Sequence, residues 1–350
     1  MQSAIQTRAF ANWQPPHRGH QITSLDCHTG GEPLRIITSG FPVLPGKRIL
    51  EKRAYCLEHY DHLRKALMFE PRGHAGMYGC VIVPAEREDS DFGALFLHNE
   101  GYSTMCGHAI IALTKVALEA GVVACKGPLT TLRIDVPAGQ ITAYAEMAEG
   151  KVTRTYFDNV ASFVVAMDVR VVVPQIGTVT VTLAYGGAYY AYVEAASIGL
   201  SLDAANHKQI IAMGRLIKAA VQASLPIHHP YDDELGFLYG TIFSSATATP
   251  GVHSRNVCIF ADGELDRSPT GSGVSGQAAI LHARGLLRIG ESIIIESILG
   301  SQFKVTAYHP QSYGFHTAII PRVEGNAHIT GRSTFYIDPE DPLKEGFIFR

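Results

Sequence analysis

Two distant stretches of this chain obey one pattern. His108 to Ala120 (HAIIALTKVALEA) and Val274 to Arg284 (VSGQAAILHAR) are apolar around most of their girth. A helix without a polar face must be wrapped by other elements on every side. Each stretch begins at a glycine-containing turn and ends at a glycine suited to a C-cap, Gly121 and Gly285. Cys106 lies 15 residues before Gly121, and Thr270 lies 15 residues before Gly285. Each terminal glycine precedes a strand pair with a glycine turn, LRIDVPAGQITAY in one half and IIIESILGSQFKVTAY in the other. Well upstream of each helix stands a Gly-Gly turn, Gly30–Gly31 and Gly186–Gly187. Matching order and matching spacing read as an ancient duplication. Each half is expected to wrap strands around one central helix, with Cys106 and Thr270 at equivalent positions.

The rest of the chain suits such a wrapping. From about Ile22 it runs as short apolar segments broken by Gly and Pro. Candidate strands are Met77–Val83, Ala94–Leu97, Leu132–Val136, Ile141–Tyr144, Val169–Val173, Val179–Leu183, Ala191–Glu194, Val257–Phe260, Ile293–Glu296 and Phe303–Tyr308. One surface helix is predicted from about Leu202 to Ala223. Its apolar face holds Ile210, Ile211, Met213, Leu216, Ile217, Ala220 and Val221, and Ser201 or Asp203 can cap it. A length of 350 residues suggests two domains.

Composition excludes several partners. A net charge of −3 gives no field able to recruit nucleic acid or an anionic membrane. The longest apolar runs fall far short of a membrane span. The six cysteines, at 27, 56, 80, 106, 125 and 258, form no C-x-x-C pair and no disulfide framework. That predicts reduced, mostly buried thiols in a cytoplasmic protein. The first 25 residues lack the continuous apolar core of a secretory signal, and residues 1–19 read as an N-terminal extension. Despite 16 histidines there is no H-E-x-x-H, so no metal site is expected. His228–His229 are expected to finish the surface helix, and His74 in PRGH to play a structural part.

Gly271, Gly273 and Gly276 spell G-x-G-x-x-G. A dinucleotide turn needs a strand directly before the first glycine. Here ADGELDRSP separates the strand VCIF from Gly271, and Glu291 follows Ile289–Gly290 at a turn. The glycines suit something smaller. A helix N-terminus offers unpaired N–H groups and partial positive charge, and small residues let an anion approach. Gly271 and Ser272 can serve a carboxylate from one half, and Gly107 and His108 from the other. Cys106, just ahead of a helix start, is expected to have its thiol pKa lowered toward neutrality, which would make it a base for a carbon acid. Thr270, its counterpart, can only donate or accept hydrogen bonds.

GYSTMCGHAIIA and DRSPTGSGVSG resemble the two signature segments of the proline racemase family. HTGGEPLR at 28–35, PRGH at 71–74 and YGGAYYA at 185–191 resemble further blocks of it, so the likeness spans nearly the whole chain from about residue 20. The resemblance implies a diaminopimelate-epimerase-like α/β (α+β) fold: two pseudo-symmetric domains, each a barrel-like mixed sheet around a central helix, with the site between them. The expected division is 20–167 plus 329–350 for the domain carrying Cys106, and 168–328 for the domain carrying Thr270. Proline racemases carry a catalytic cysteine in both segments; this chain has Thr270 at the second, which puts two-base racemisation in doubt. The Cys/Thr pair resembles that of dehydratases of trans-3-hydroxy-L-proline. The resemblance implies Cys106 and Thr270 as catalytic positions, and Gly107, His108, Asp266, Gly271 and Ser272 as substrate-binding residues. It also implies a small imino-acid substrate, no cofactor, no metal and a homodimer. Epimerisation or racemisation of 4-hydroxyproline or proline, and imino-acid binding without turnover, are the alternatives.

Overall fold

The duplication appears in the order and pairing of the elements. A computed structural model describes residue 13 and residues 19–349; the expected extension, 1–19, therefore lies almost entirely outside the described residues. The first half runs β1 (His20–Thr29), β2 (Glu32–Ser39), α1 (Ile49–Met68), β3 (Gly79–Val83), β4 (Phe92–Leu97), β5 (Tyr102–Ser103), α2 (Gly107–Glu119), β6 (Leu129–Val136), β7 (Gly139–Ala148) and β8 (Lys151–Asp158). After β9 (Ser162–Val173) the same sequence of elements recurs. It runs β10 (Gly177–Tyr185), β11 (Tyr189–Glu194), α3 (His207–Ser224), β12 (Leu238–Ser245), β13 (Ser254–Phe260), β14 (Glu264–Leu265), α4 (Gly271–Ala283), β15 (Ser292–Glu296), β16 (Gln302–Tyr313) and β17 (His316–Gly325). A last strand, β18 (Ala327–Ile337), pairs antiparallel with β1, as β9 pairs with β10.

The pairing repeats as well. β2 lies parallel to β3 and β11 parallel to β12. β4 lies parallel to β6 and β13 parallel to β15. Antiparallel β8–β17 pairing, Phe157 opposite Val323 and Thr155 opposite Gly325, joins the halves into one 18-stranded sheet. The fold is thus a mixed α+β architecture of two pseudo-symmetric barrel-like sheets, each curled around a helix. α2 packs on β1, β2, β7, β8 and β18, and α4 on β9, β10, β16 and β17. Residues Gly107–Thr114 of α2 are buried without interruption, as are Gly271–Gly276 of α4. Gly121 and Gly285 adopt φ of +72° and +73°, left-handed conformations that end both helices.

Three local expectations are corrected. The surface helix begins at His207 rather than Leu202, behind a short 3-10 turn at Ala204–Asn206. Ser201 donates its hydroxyl to Asp203 instead of capping the helix. His228–His229 do not finish that helix, because the backbone turns extended at Leu225, just before Pro226. His229 instead closes a turn, its Nδ1 accepting the N–H groups of Tyr231 and Asp232. α1 has no counterpart among the expected elements. It is kinked at Tyr60 and buries Lys52 and Arg64 beside Ile49, Leu63 and Leu67. Among the described residues no helix is long and apolar enough to cross a membrane.

Candidate active site

α2 and α4 meet start to start. A Cβ at Gly107 would lie 2.5 Å from the Gly271 Cα, and one at Gly271 would lie 2.6 Å from the Gly107 Cα. Only glycine allows two backbones so close. The other two glycines of G-x-G-x-x-G serve packing of the same kind. A Cβ at Gly273 would meet Ile242 at 2.5 Å, and one at Gly276 would meet the Tyr192 hydroxyl at 2.2 Å. Hydroxyl groups tie down the surroundings. Thr29 donates to the His108 carbonyl at 2.8 Å, Tyr192 to the Gly273 carbonyl at 2.8 Å, and Ser275 to the Gly271 carbonyl at 2.8 Å.

This junction forms one wall of a small cavity. Cys106, Gly107, His108, Asp266, Thr270, Gly271 and Ser272 all line it, so the structure brings together every site residue singled out from the sequence. Tyr78, Met105, Tyr190, Tyr239 and Phe260 complete the lining.

On one side, Cys106 is the N-cap residue of α2 and buried. Its sulfur lies 3.1 Å from His108 Nδ1 and 3.7 Å from Nε2. The imidazole is held below its ordinary pKa by burial, against the pull of Asp266, so it is neutral at pH 7. The Cys106 thiol departs from expectation. Burial pushes it well above the ordinary cysteine value, reinforced by the negative charges of Asp266 and Glu32. The Ala109 N–H and the Tyr78 hydroxyl favour the thiolate, but desolvation outweighs them. A helix start lowers a thiol pKa only where burial does not win.

On the other side, Thr270 is the N-cap residue of α4, with φ +67° and ψ +98°. A β-branched residue there is strained, at a cost of about 1–3 kcal/mol. Side chains hold it in place. Its N–H donates to Ser268 Oγ at 3.1 Å, and its Oγ1 donates to Asp266 Oδ2 at 2.7 Å. Asp266 Oδ1 accepts the Ser268 N–H at 2.7 Å. Cys106, by contrast, sits at an ordinary extended φ of −144°. The two equivalent positions thus differ in chemistry and in backbone.

Residues 24–348 match the family model described as proline racemase. The chain belongs to the proline racemase family. It is 56% identical to a trans-3-hydroxy-L-proline dehydratase of Colwellia psychrerythraea, over 97% of each chain. It is 45% identical to a 3-hydroxyproline 2-epimerase of Burkholderia multivorans, over 94% of this chain and 98% of that one. In structure it is similar to a hydroxyproline epimerase from Agrobacterium vitis with bound trans-4-hydroxy-L-proline. That likeness has a TM-score of 0.89 and 28% identity, and covers 94% of this chain and 96% of the other.

The family segments at 101–112 and 266–276 supply the two helix starts, but the aromatic walls come from elsewhere. Tyr239 lies on β12, Phe260 ends β13, and Tyr78 immediately precedes β3. Nothing local in their sequence marks them as cavity residues. Tyr190 does fall within the block YGGAYYA, and its hydroxyl bonds Ser272 Oγ at 2.8 Å. His74 of PRGH does not line the cavity; its Nδ1 accepts the Gly76 N–H at 3.2 Å.

Proposed function

We propose that the chain is a trans-3-hydroxy-L-proline dehydratase, with Cys106 as its base. The observation that carries this reading is the asymmetry of the cavity: a thiol on one helix start, and on the other a threonine hydroxyl committed to Asp266. A racemase must return a proton to the opposite face of the α-carbon. The alcohol of Thr270, which does not ionise near neutral pH, is too weak an acid to return it and too weak a base to take one. The name borne by the Colwellia relative supports the same reading.

The N–H groups of Gly107, His108, Gly271 and Ser272 receive the substrate carboxylate, where two helix dipoles add their positive ends. Asp266 receives the ring ammonium. That cation offsets the negative charge which helps hold the Cys106 thiol protonated. Neutral His108, 3.1 Å away, is placed to take the thiol proton. The thiolate then removes the α-proton, and the negative charge that develops on the carboxylate is stabilised by the amides. The electron pair of the C2–H bond becomes the C2=C3 double bond as the C3–O bond breaks. In the trans isomer the α-hydrogen and the 3-hydroxyl share a face. The newly protonated Cys106 can therefore return its proton to the departing hydroxide, releasing water and regenerating the thiolate. The unsaturated ring tautomerises to pyrroline-2-carboxylate.

The reading includes the domain division at 20–167 plus 329–350 and 168–328, a homodimer, and a cytoplasmic setting suited to free cysteines. Its test is incubation of the purified protein with trans-3-hydroxy-L-proline and trapping of pyrroline-2-carboxylate with o-aminobenzaldehyde. L-Proline and trans-4-hydroxy-L-proline serve as controls, with chiral analysis. Cys106→Ala is expected to abolish water loss, and Cys106→Ser to leave a trace at most. Normal turnover by Cys106→Ala would end the assignment. Epimerised product without water loss would favour the activity named for the Burkholderia relative.

A further inference from the structure

The cavity holds a hydroxyl that its polar neighbours leave unused. Tyr239, on β12, lines the cavity and is 5% exposed. Its hydroxyl is buried and makes no hydrogen bond among the described residues. Three other polar pairs of the lining already face each other. Tyr190 bonds Ser272, Thr270 bonds Asp266, and His108 faces the Cys106 sulfur. The Tyr239 hydroxyl neighbours those of Tyr78 and Ser103 without closing a bond of ordinary geometry to either. Tyr78 in turn sits beside the Cys106 sulfur. Tyr239 therefore belongs to the Cys106 side of the cavity. Rings of Phe260, Tyr190 and His98 pack around it, at centroid distances of 5.4, 5.9 and 5.5 Å. A buried polar group without a partner is costly, and a ligand that supplies the partner removes that cost.

Stereochemistry indicates which ligand atom meets it. If Cys106 removes the α-proton, the 3-hydroxyl of the trans isomer lies on the Cys106 side of the ring, as Tyr239 does. We propose that Tyr239 is the specificity-determining residue for the ring hydroxyl: its phenol hydrogen-bonds the 3-hydroxyl and holds the C3–O bond on the face of the departing α-proton. This inference rests on the dehydratase reading. A site built around such a bond rejects the analogue that lacks the hydroxyl, because the phenol is then left unpaired.

Binding isolates the effect from turnover. Calorimetric dissociation constants for trans-3-hydroxy-L-proline and for L-proline are measured on Cys106→Ala and on Cys106→Ala/Tyr239→Phe. Since Tyr239→Phe breaks no hydrogen bond within the protein, its thermal midpoint is expected to stay level or rise. The expected result is a preference for the hydroxylated ligand that falls by about tenfold, with L-proline affinity held within about twofold. In the otherwise unmodified enzyme, Tyr239→Phe is expected to lower kcat/KM for water loss by a similar factor. An unchanged ligand preference overturns the proposal, as does an equal weakening toward both ligands, which marks a merely structural side chain. Failure of the unmodified enzyme to release water is a separate outcome: it ends the dehydratase reading, while the binding ratio still decides whether Tyr239 recognises a ring hydroxyl.

Discussion

Cys106 owes its state to a contest between two local effects. The start of α2 and the Ala109 N–H favour the thiolate; burial, Asp266 and Glu32 favour the thiol, and they prevail. The free enzyme therefore holds a protonated sulfur at neutral pH. Under the proposed mechanism the thiol proton passes to His108, so the reactive thiolate–imidazolium pair holds as many protons as the resting thiol and neutral imidazole. Log kcat/KM is therefore expected to rise only as His108 loses its proton, below the ordinary imidazole value of about 6.5, and to be level from about pH 7 to 9. A profile that climbs steadily between about pH 7 and 9 would mean that the thiol proton must leave to solvent rather than to His108. The opposite residue carries a second prediction. Thr270→Cys places an ionisable group on the second face and removes a β-branch from a backbone at φ +67°. Solvent deuterium at the α-carbon, and the epimer that follows from it, are expected to appear in this variant; their absence would argue that the second face is closed to proton transfer. The sequence could show which residues gather here, because two helix starts carry most of them. It could not show the thiol's burial, which comes from Tyr78, Phe260 and other walls contributed by distant strands.

At the scale of elements, legibility followed how cleanly an apolar pattern was expressed. α2 and α4 were readable because they are apolar all round and end at glycine. α1 was hidden because charges sit within its buried stripe. Arg64 is buried, yet it donates to Asp61 and to the His98 and Asn99 carbonyls, so its polarity is satisfied inside. β1 was hidden for a similar reason. Its buried positions include Ser24 and Thr29, hydroxyl residues that bond Asp26 and the His108 carbonyl. β18 buries only Ala327 and Ile337 at its two ends and shows no alternation to read. The junction of α2 and α4 carries the element-scale prediction. Gly107→Ala would drive a methyl to 2.5 Å from the Gly271 Cα, where no flexible side chain can yield. Backbone must shift, at about 1–3 kcal/mol or more. Since both helix starts serve the proposed carboxylate site, kcat/KM is expected to fall by about a hundredfold. Urea unfolding and the o-aminobenzaldehyde assay check the two effects. Activity within a few-fold of wild type would show that the helix starts need not touch.

Across the whole molecule, two copies of one topology contribute unequal chemistry to a shared cavity, and the same close wrapping buries many titratable groups in their neutral forms. Burial pushes Cys27 up to about 12 and Cys56 up to about 11, and holds His98 well below the usual imidazole value. The two sets act on stability with opposite signs. A thiol whose pKa is raised by folding contributes stability that is complete below its unfolded value of about 8.5 and is lost as pH rises toward the folded value. An imidazole whose pKa is lowered contributes stability that is complete above about 6.5 and is lost as pH falls through the folded value. Unfolding free energy is therefore expected to be level between about pH 7 and 8.5 and to fall on either side. Replacing Cys27 and Cys56 by alanine will lower the plateau by opening cavities, which does not depend on pH. It will also remove two groups that bind more protons folded than unfolded at high pH. Between about pH 9 and 11, the decline of unfolding free energy is expected to become shallower by about 1.4 kcal/mol per pH unit for each thiol removed. Urea titrations at half-unit intervals measure that slope independently of the plateau. An alkaline limb of unchanged steepness would assign it to the other buried thiols, Cys80, Cys106 and Cys258, joined above about pH 10 by buried tyrosines such as Tyr190 and Tyr239.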